Sequence, residues 1–201
     1  MEINSALNFV IPIRLADDGE PLVWAYHTPI STEVFQTNYR IIAETNARIW
    51  GKGLKYAATA GARVAALTLL DVAKDDAREY DTPDQGQALL AEIRRLTIVL
   101  APALGAERVG PTGFQPFPVD VAIQRRVVDR EDWEEVQAAI VFFTVGYAMS
   151  KRAKRAAFCE HIASLIGGST TPLKPMEFAA SLLISTPAEP SAEPEPSLAT
   201  S

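Results

Sequence analysis

The chain has 201 residues, room for one compact domain with a tail or at most two small ones. Hydrophobic residues make up 48% and charged residues 22%, so a core can be buried and the chain as a whole does not have the composition of a disordered one. The formal charge of −6 argues against a general nucleic-acid or membrane-surface binder, and the single cysteine, Cys159, excludes an internal disulfide and fits a reducing cytoplasm.

Residues 1–7 carry Glu2 and neither a basic stretch nor a long apolar one, so they do not read as a secretory signal. Leu7, Phe9, Ile11 and Ile13 then share one parity, the alternation of a half-buried strand. Ala16-Asp17-Asp18-Gly19-Glu20-Pro21 supplies turn chemistry, and a second run follows over 22–27. The pair predicts a β-hairpin, which is marginal alone and must pack on something.

Helix signals start at Thr28-Pro29 or Ser31, with Phe35, Tyr39, Ile42 and Ile49 at helical spacing up to Trp50 and a stop at Gly51-Lys52-Gly53. A second helix is predicted over 57–80, burying Val64, Leu67, Leu70 and Val72, and a third over 86–100. The stretch 101–118, rich in Pro and Gly, reads as a long connection of the kind that is often functional. Helical patterning resumes over 119–128. Asp129 then caps a helix that runs through Trp133, Val136, Ile140, Phe143 and Tyr147, with Glu131 and Asp132 near its positive end. The apolar run 138–149 is interrupted by Thr144 and Gly146 and falls short of the roughly 20 residues that a spanning helix needs, so it reads as a buried core helix. A last helix carries Phe158, Ile162, Leu165 and Ile166 up to Gly167-Gly168. Beyond it, 176–184 has the pattern of a short apolar helix, and 186–201 is a Pro, Ala, Glu and Ser tract.

The expected organisation is therefore a hairpin over 1–28 packed on a helical body over 29–168, with a flexible tail over 169–201. In fold-class terms this is mainly α, a multi-helix bundle with a short N-terminal β-hairpin and a disordered C-terminal tail.

Chemistry is scarce. Cys159-Glu160-His161 places its ligand types at i and i+2, on different faces of a helix, and a structural zinc site usually takes four ligands. No phosphate-binding Gly loop and no nucleophile elbow occur. Asp17-Asp18-Gly19-Glu20 lacks the ligand series of a calcium loop and reads as a turn. The expectation is a non-enzyme with no catalytic residue, cofactor or metal. Candidate partner-binding residues are Phe114 and Phe117 in the Pro/Phe loop, the basic residues Lys151, Arg152, Lys154 and Arg155, and Met176 and Phe178 in the short apolar segment. The basic run has two readings, a solvated helix junction and a contact for an acidic partner, and no aromatic platform accompanies it to favour nucleic acid. Amphipathic-helix binding suits the apolar candidates.

Several segments carry a likeness: Asn8-Phe9-Val10-Ile11-Pro12, His27-Thr28-Pro29-Ile30-Ser31 with Val34-Phe35, Ala62-Arg63-Val64-Ala65-Ala66-Leu67, Glu92-Ile93-Arg94-Arg95-Leu96-Thr97, Ala139-Ile140-Val141-Phe142-Phe143-Thr144 and Glu177-Phe178-Ala179-Ala180-Ser181-Leu182. With these the chain resembles the tail assembly chaperones of long-tailed phages and prophages over about 8–182. The resemblance implies a protein of the host cytoplasm that coats the long helical tape-measure protein while tail-tube protein polymerises around it, and that is absent from the finished virion. It implies no catalytic residues. The alternatives are a structural head–tail connector or tail-completion protein, and a DNA accessory protein acting through 151–155. Homo-oligomerisation is open, including by pairing of the hairpin between subunits.

Overall fold

The structure, a computed structural model, describes residues 7–17, 19–102 and 113–182. Its elements run β1 (Asn8–Leu15), β2 (Pro21–His27), α1 (Thr32–Thr37), α2 (Tyr39–Trp50), α3 (Leu54–Tyr56), a π turn (Ala57–Gly61), α4 (Ala65–Tyr80) and α5 (Gly86–Arg95). There follow β3 (Thr97–Pro102), β4 (Phe114–Pro118), α6 (Val119–Gln124), α7 (Arg130–Met149), a 3-10 turn (Arg152–Lys154), α8 (Arg155–Leu165), β5 (Ser169–Thr171) and α9 (Pro175–Ser181).

The predicted hairpin forms, but it is not an appendage of a bundle. It is the centre of a five-stranded antiparallel sheet in the order β4-β3-β2-β1-β5, so the fold is mixed α/β and the expectation of a mainly α bundle is overturned. The reasons lie in three segments. The third predicted helix stops at Leu96, because Thr97, Ile98 and Val99 are successive β-branched residues that suit the extended chain beside β2. The Pro/Phe segment, read as loop, is an edge strand, a place in a sheet where proline is tolerated. Ser169–Thr171, assigned to the flexible tail, pairs with Asn8–Val10, and α9 follows it. Residues 183–201, which hold most of the expected disordered tail, lie outside the described residues, as do 103–112 of the long connection.

Two helical faces also differ from the periodic reading. Ser31 Oγ accepts the Val34 N–H at 3.2 Å as an N-cap should, yet the helix breaks once at Asn38, and Tyr39 ends 56% exposed while Ile42 and Ile49 are sealed. In α4 the buried residues are Ala65, Leu69, Val72 and Ala73, and Leu67 is 64% exposed. A π turn precedes this helix, its Ala62 N–H bonding to Ala57 O five residues back, and the buried face of α4 follows Ala65, Leu69, Val72 and Ala73 rather than the phase of Val64 and Leu67.

The core lies between the inner face of the sheet and a helical layer centred on α7. Phe143 of α7 stacks on Phe9 with centroids 4.6 Å apart, and Phe142 stacks on Trp50 of α2 at 5.4 Å. At Gly146 α8 packs closely on α7, since a Cβ there would sit 2.6 Å from Ile162 Cδ1. No helix among the described residues is long and apolar enough to cross a membrane. On the outer face, α9 lies across Val10, Tyr26, Leu100 and Phe114.

The β4 edge carries prolines where a donor would be exposed, and so does β1 on the side that β5 covers only over Asn8–Val10. Thr28 N–H donates to Leu96 O at 3.0 Å, which sets the antiparallel alternation so that Tyr26 and Trp24 turn their backbone groups to β3 and His27 and Ala25 turn theirs to β1. Carried through the registers, Pro12 faces the β5 edge, and Pro116 and Pro118 face outward from β4. These positions cannot donate to a further strand, so edge-to-edge growth of the sheet is disfavoured.

Candidate partner-binding surfaces

The titratable groups in the interior serve the core. His27 is fully buried on β2, its Nδ1 3.0 Å from Thr97 Oγ1 and its Nε2 3.2 Å from Thr144 Oγ1, which ties the sheet to α7. Burial pushes its pKa down to about 3, so the ring is neutral at physiological pH. The Cys159 thiol is buried on α8 and burial pushes it up to about 11, which makes it unreactive. His161 is exposed. Among the described residues no three His, Cys, Asp or Glu side chains gather as a metal site would require.

The candidate residues divide sharply. Phe117 is buried in the main core and Phe114 beneath α9, so neither presents its ring to a partner as the loop reading expected; on the edge strand Phe117 alternates with Pro116 and Pro118 and packs on the inner face, while Phe114 packs on the outer one. Phe178 is half-buried, its ring edge-on to Trp24 at 5.6 Å, so it anchors α9 to the sheet. Met176, on the same helix, is 57% exposed. Arg155 is also structural. Its guanidinium lies 4.7 Å over the Tyr147 ring, Nε donates to Ser150 Oγ at 3.1 Å and Nη2 to Ser150 O at 3.2 Å, which pins the corner between α7 and α8. Lys151, Arg152 and Lys154 remain exposed on that corner.

Two grooves stand out on the helical side. The first, about 890 Å³, runs between the end of β1 (Ile11, Pro12, Ile13), the π turn with Arg63 and Val64, the start of α7 and the end of α8. Its walls are mostly apolar, Ala139 and Val136 among them, and Arg63, Asp132 and Glu135 supply charge. The π turn builds it: Ala58, Thr59 and Ala60 line it with small side chains, and Thr59 Oγ1 donates to Lys55 O at 2.8 Å, a back-bond that favours bending. The second, about 660 Å³, lies between α2, α7 and α8, with Trp50, Met149 and Phe158 as apolar lining and Lys151 and Lys154 on its border. No family model, curated protein or solved structure matches this chain. The two grooves are therefore read from their own chemistry.

Of the residues singled out from sequence, Lys151 and Lys154 line the second of these two grooves and none lines the first. The first groove was missed altogether. Its one sequence signal is the run Ala57-Ala58-Thr59-Ala60-Gly61-Ala62, six small residues opening what reads as an amphipathic helix. Small residues there leave space rather than fill it.

Proposed function

We propose that the chain is a tail assembly chaperone, a holding protein that binds the tape-measure protein during tail-tube polymerisation, works in the host cytoplasm without catalysing a reaction, and leaves before the virion is complete. The observation that carries this reading is the first groove, an open apolar channel of about 890 Å³ with charged residues among its lining. An amphipathic helix lays its apolar face into such a channel while its own backbone stays internally bonded. A tape-measure protein offers many such helices. The resemblance over 8–182 supports the same assignment, and the net charge of −6 keeps a holding protein soluble at assembly concentrations.

The test is an affinity pull-down from cells expressing the complete tail gene cluster, with bound proteins and purified virions analysed by mass spectrometry. The tape-measure protein is expected in the pull-down, and this chain is expected to be missing from virions. Ala60→Trp, which fills the groove from an exposed position on the π turn, is expected to abolish capture while leaving the circular dichroism spectrum unchanged. Recovery of connector or tail-completion proteins, with this chain retained in particles, overturns the reading in favour of a structural part.

A further inference from the structure

We propose that the groove between α2, α7 and α8 is a second docking site, one that receives an acidic amphipathic helix of a partner protein. The inference goes beyond the chaperone reading, because it concerns a different groove and a different chemistry.

Two observations select the occupant. The first is the apolar lining. Trp50 and Phe158 lie 6.0 Å apart, and Met149, 42% exposed, gives the site an adaptable thioether surface. The second is charge. Lys151 and Lys154 border the site from the 3-10 corner, and neither pairs with a carboxylate among the described residues. In a chain of net charge −6 an acidic segment is repelled at long range, so it is held only where cations lie within a screening length of about 8 Å. An occupant bearing carboxylates meets both lysines with opposite charge, whereas a basic one is repelled by them.

The walls also set the occupant's conformation. They are helices whose backbone groups are bonded within the helices, so an extended peptide finds no strand edge to join. A helix needs no such partner and interdigitates through side chains.

The test uses the full chain and two fluorescein-labelled synthetic helices read by anisotropy. One carries leucines at i, i+4, i+7 and i+11 flanked by glutamates, and its twin has lysine at every glutamate position. The glutamate peptide is expected to bind about ten-fold or more tighter than its twin, and to weaken by about ten-fold as salt rises through the range where the screening length falls from 10 to 3 Å. Lys151→Glu with Lys154→Glu, both at exposed positions, is expected to invert the preference with an unchanged melting temperature. Equal binding of the two peptides, no binding of the glutamate peptide, or indifference to the double reversal overturns the proposal. Ala60→Trp is expected to leave this binding intact, so failure here and failure of tape-measure capture are read separately.

Discussion

On its inner face the sheet meets α7, which α2 and α4 back in turn, and Phe9, Val23, Ala25 and Val99 are sealed against a helical layer in which α7 is buried from Ala138 to Gly146. On its outer face a single seven-residue helix, α9, covers Val10, Tyr26, Leu100 and Phe114, and of its own residues only Ala179 is fully buried. One sheet thus serves two regimes. The inner face has many mutually supporting contacts, and loss of any one opens a cavity that its neighbours cannot fill. The outer face depends on an element too short to hold its own conformation in water, so it is the face that opens first. Substitutions on the two sides should therefore differ in both the size and the reach of their effects.

The largest effect is expected from Phe143→Ala. The ring is fully buried and stacked on Phe9 at an interplanar angle of 13°, so truncation removes apolar contact and leaves a void between α7 and β1. The expected loss is about 3–5 kcal/mol in guanidinium unfolding, spread over the whole domain. A loss below about 1 kcal/mol would mean that the inner face is not the tightly packed side.

Next comes acid. His27 carries a pKa of about 3 in the folded chain against an ordinary value of 6.5. Above pH 6.5 the ring is neutral in both states and pH has no leverage through it. Between 6.5 and 3 only the unfolded chain takes up the proton, so stability falls as pH drops through that window, by about 1.4 kcal/mol per unit. At pH 4.5 the loss from this group is about 2–3 kcal/mol. His27→Leu should flatten that part of the pH dependence, measured as the difference between unfolding curves at pH 7 and pH 4.5. Equal slopes in both proteins would show that the ring is not held neutral.

The two faces also explain what was legible in the sequence. The parity of Phe9, Ile11 and Ile13 places them on the inner side, and all three pack there, because a strand with one sealed face must alternate. The buried stretch of α7 was legible from its unbroken apolar run. The outer layer was hidden. β5 is three residues of Ser and Thr whose strand character comes only from pairing with Asn8–Val10, and nothing local marks it. β4 was hidden by its prolines, which signal a loop until a neighbouring strand turns them outward. The candidate groove lining was hidden for a related reason: the π turn over Ala57–Gly61 rests on a bond five residues back, and no period counted along one helix marks it. The basic corner was legible because exposed charges need no partner to be noticed; the apolar lining beside it, drawn from α2, α7 and α8, was not.

Smaller effects are expected on the outer face, and they should stay there. Phe178→Ala removes the half-buried ring that meets Trp24 and Tyr26, at an expected cost of about 1–2 kcal/mol, less than a sealed phenylalanine. Amide exchange should speed up in α9 and leave α7 unchanged. The smallest and most discriminating change is Tyr26→Phe. The Tyr26 hydroxyl donates to Leu173 O at 2.7 Å, just before α9, and Asn8 Nδ2 donates to the same carbonyl at 3.1 Å. Removing the hydroxyl therefore leaves the acceptor partnered, and the expected loss is only about 0.5–1.5 kcal/mol. If α9 is held locally, that loss appears as faster exchange of the Phe178 amide, which bonds to Lys174 O at 2.8 Å, while the global unfolding midpoint barely moves. A shift of the global midpoint with no local signature would show instead that α9 unfolds only with the core, and the distinction between the two faces would fail.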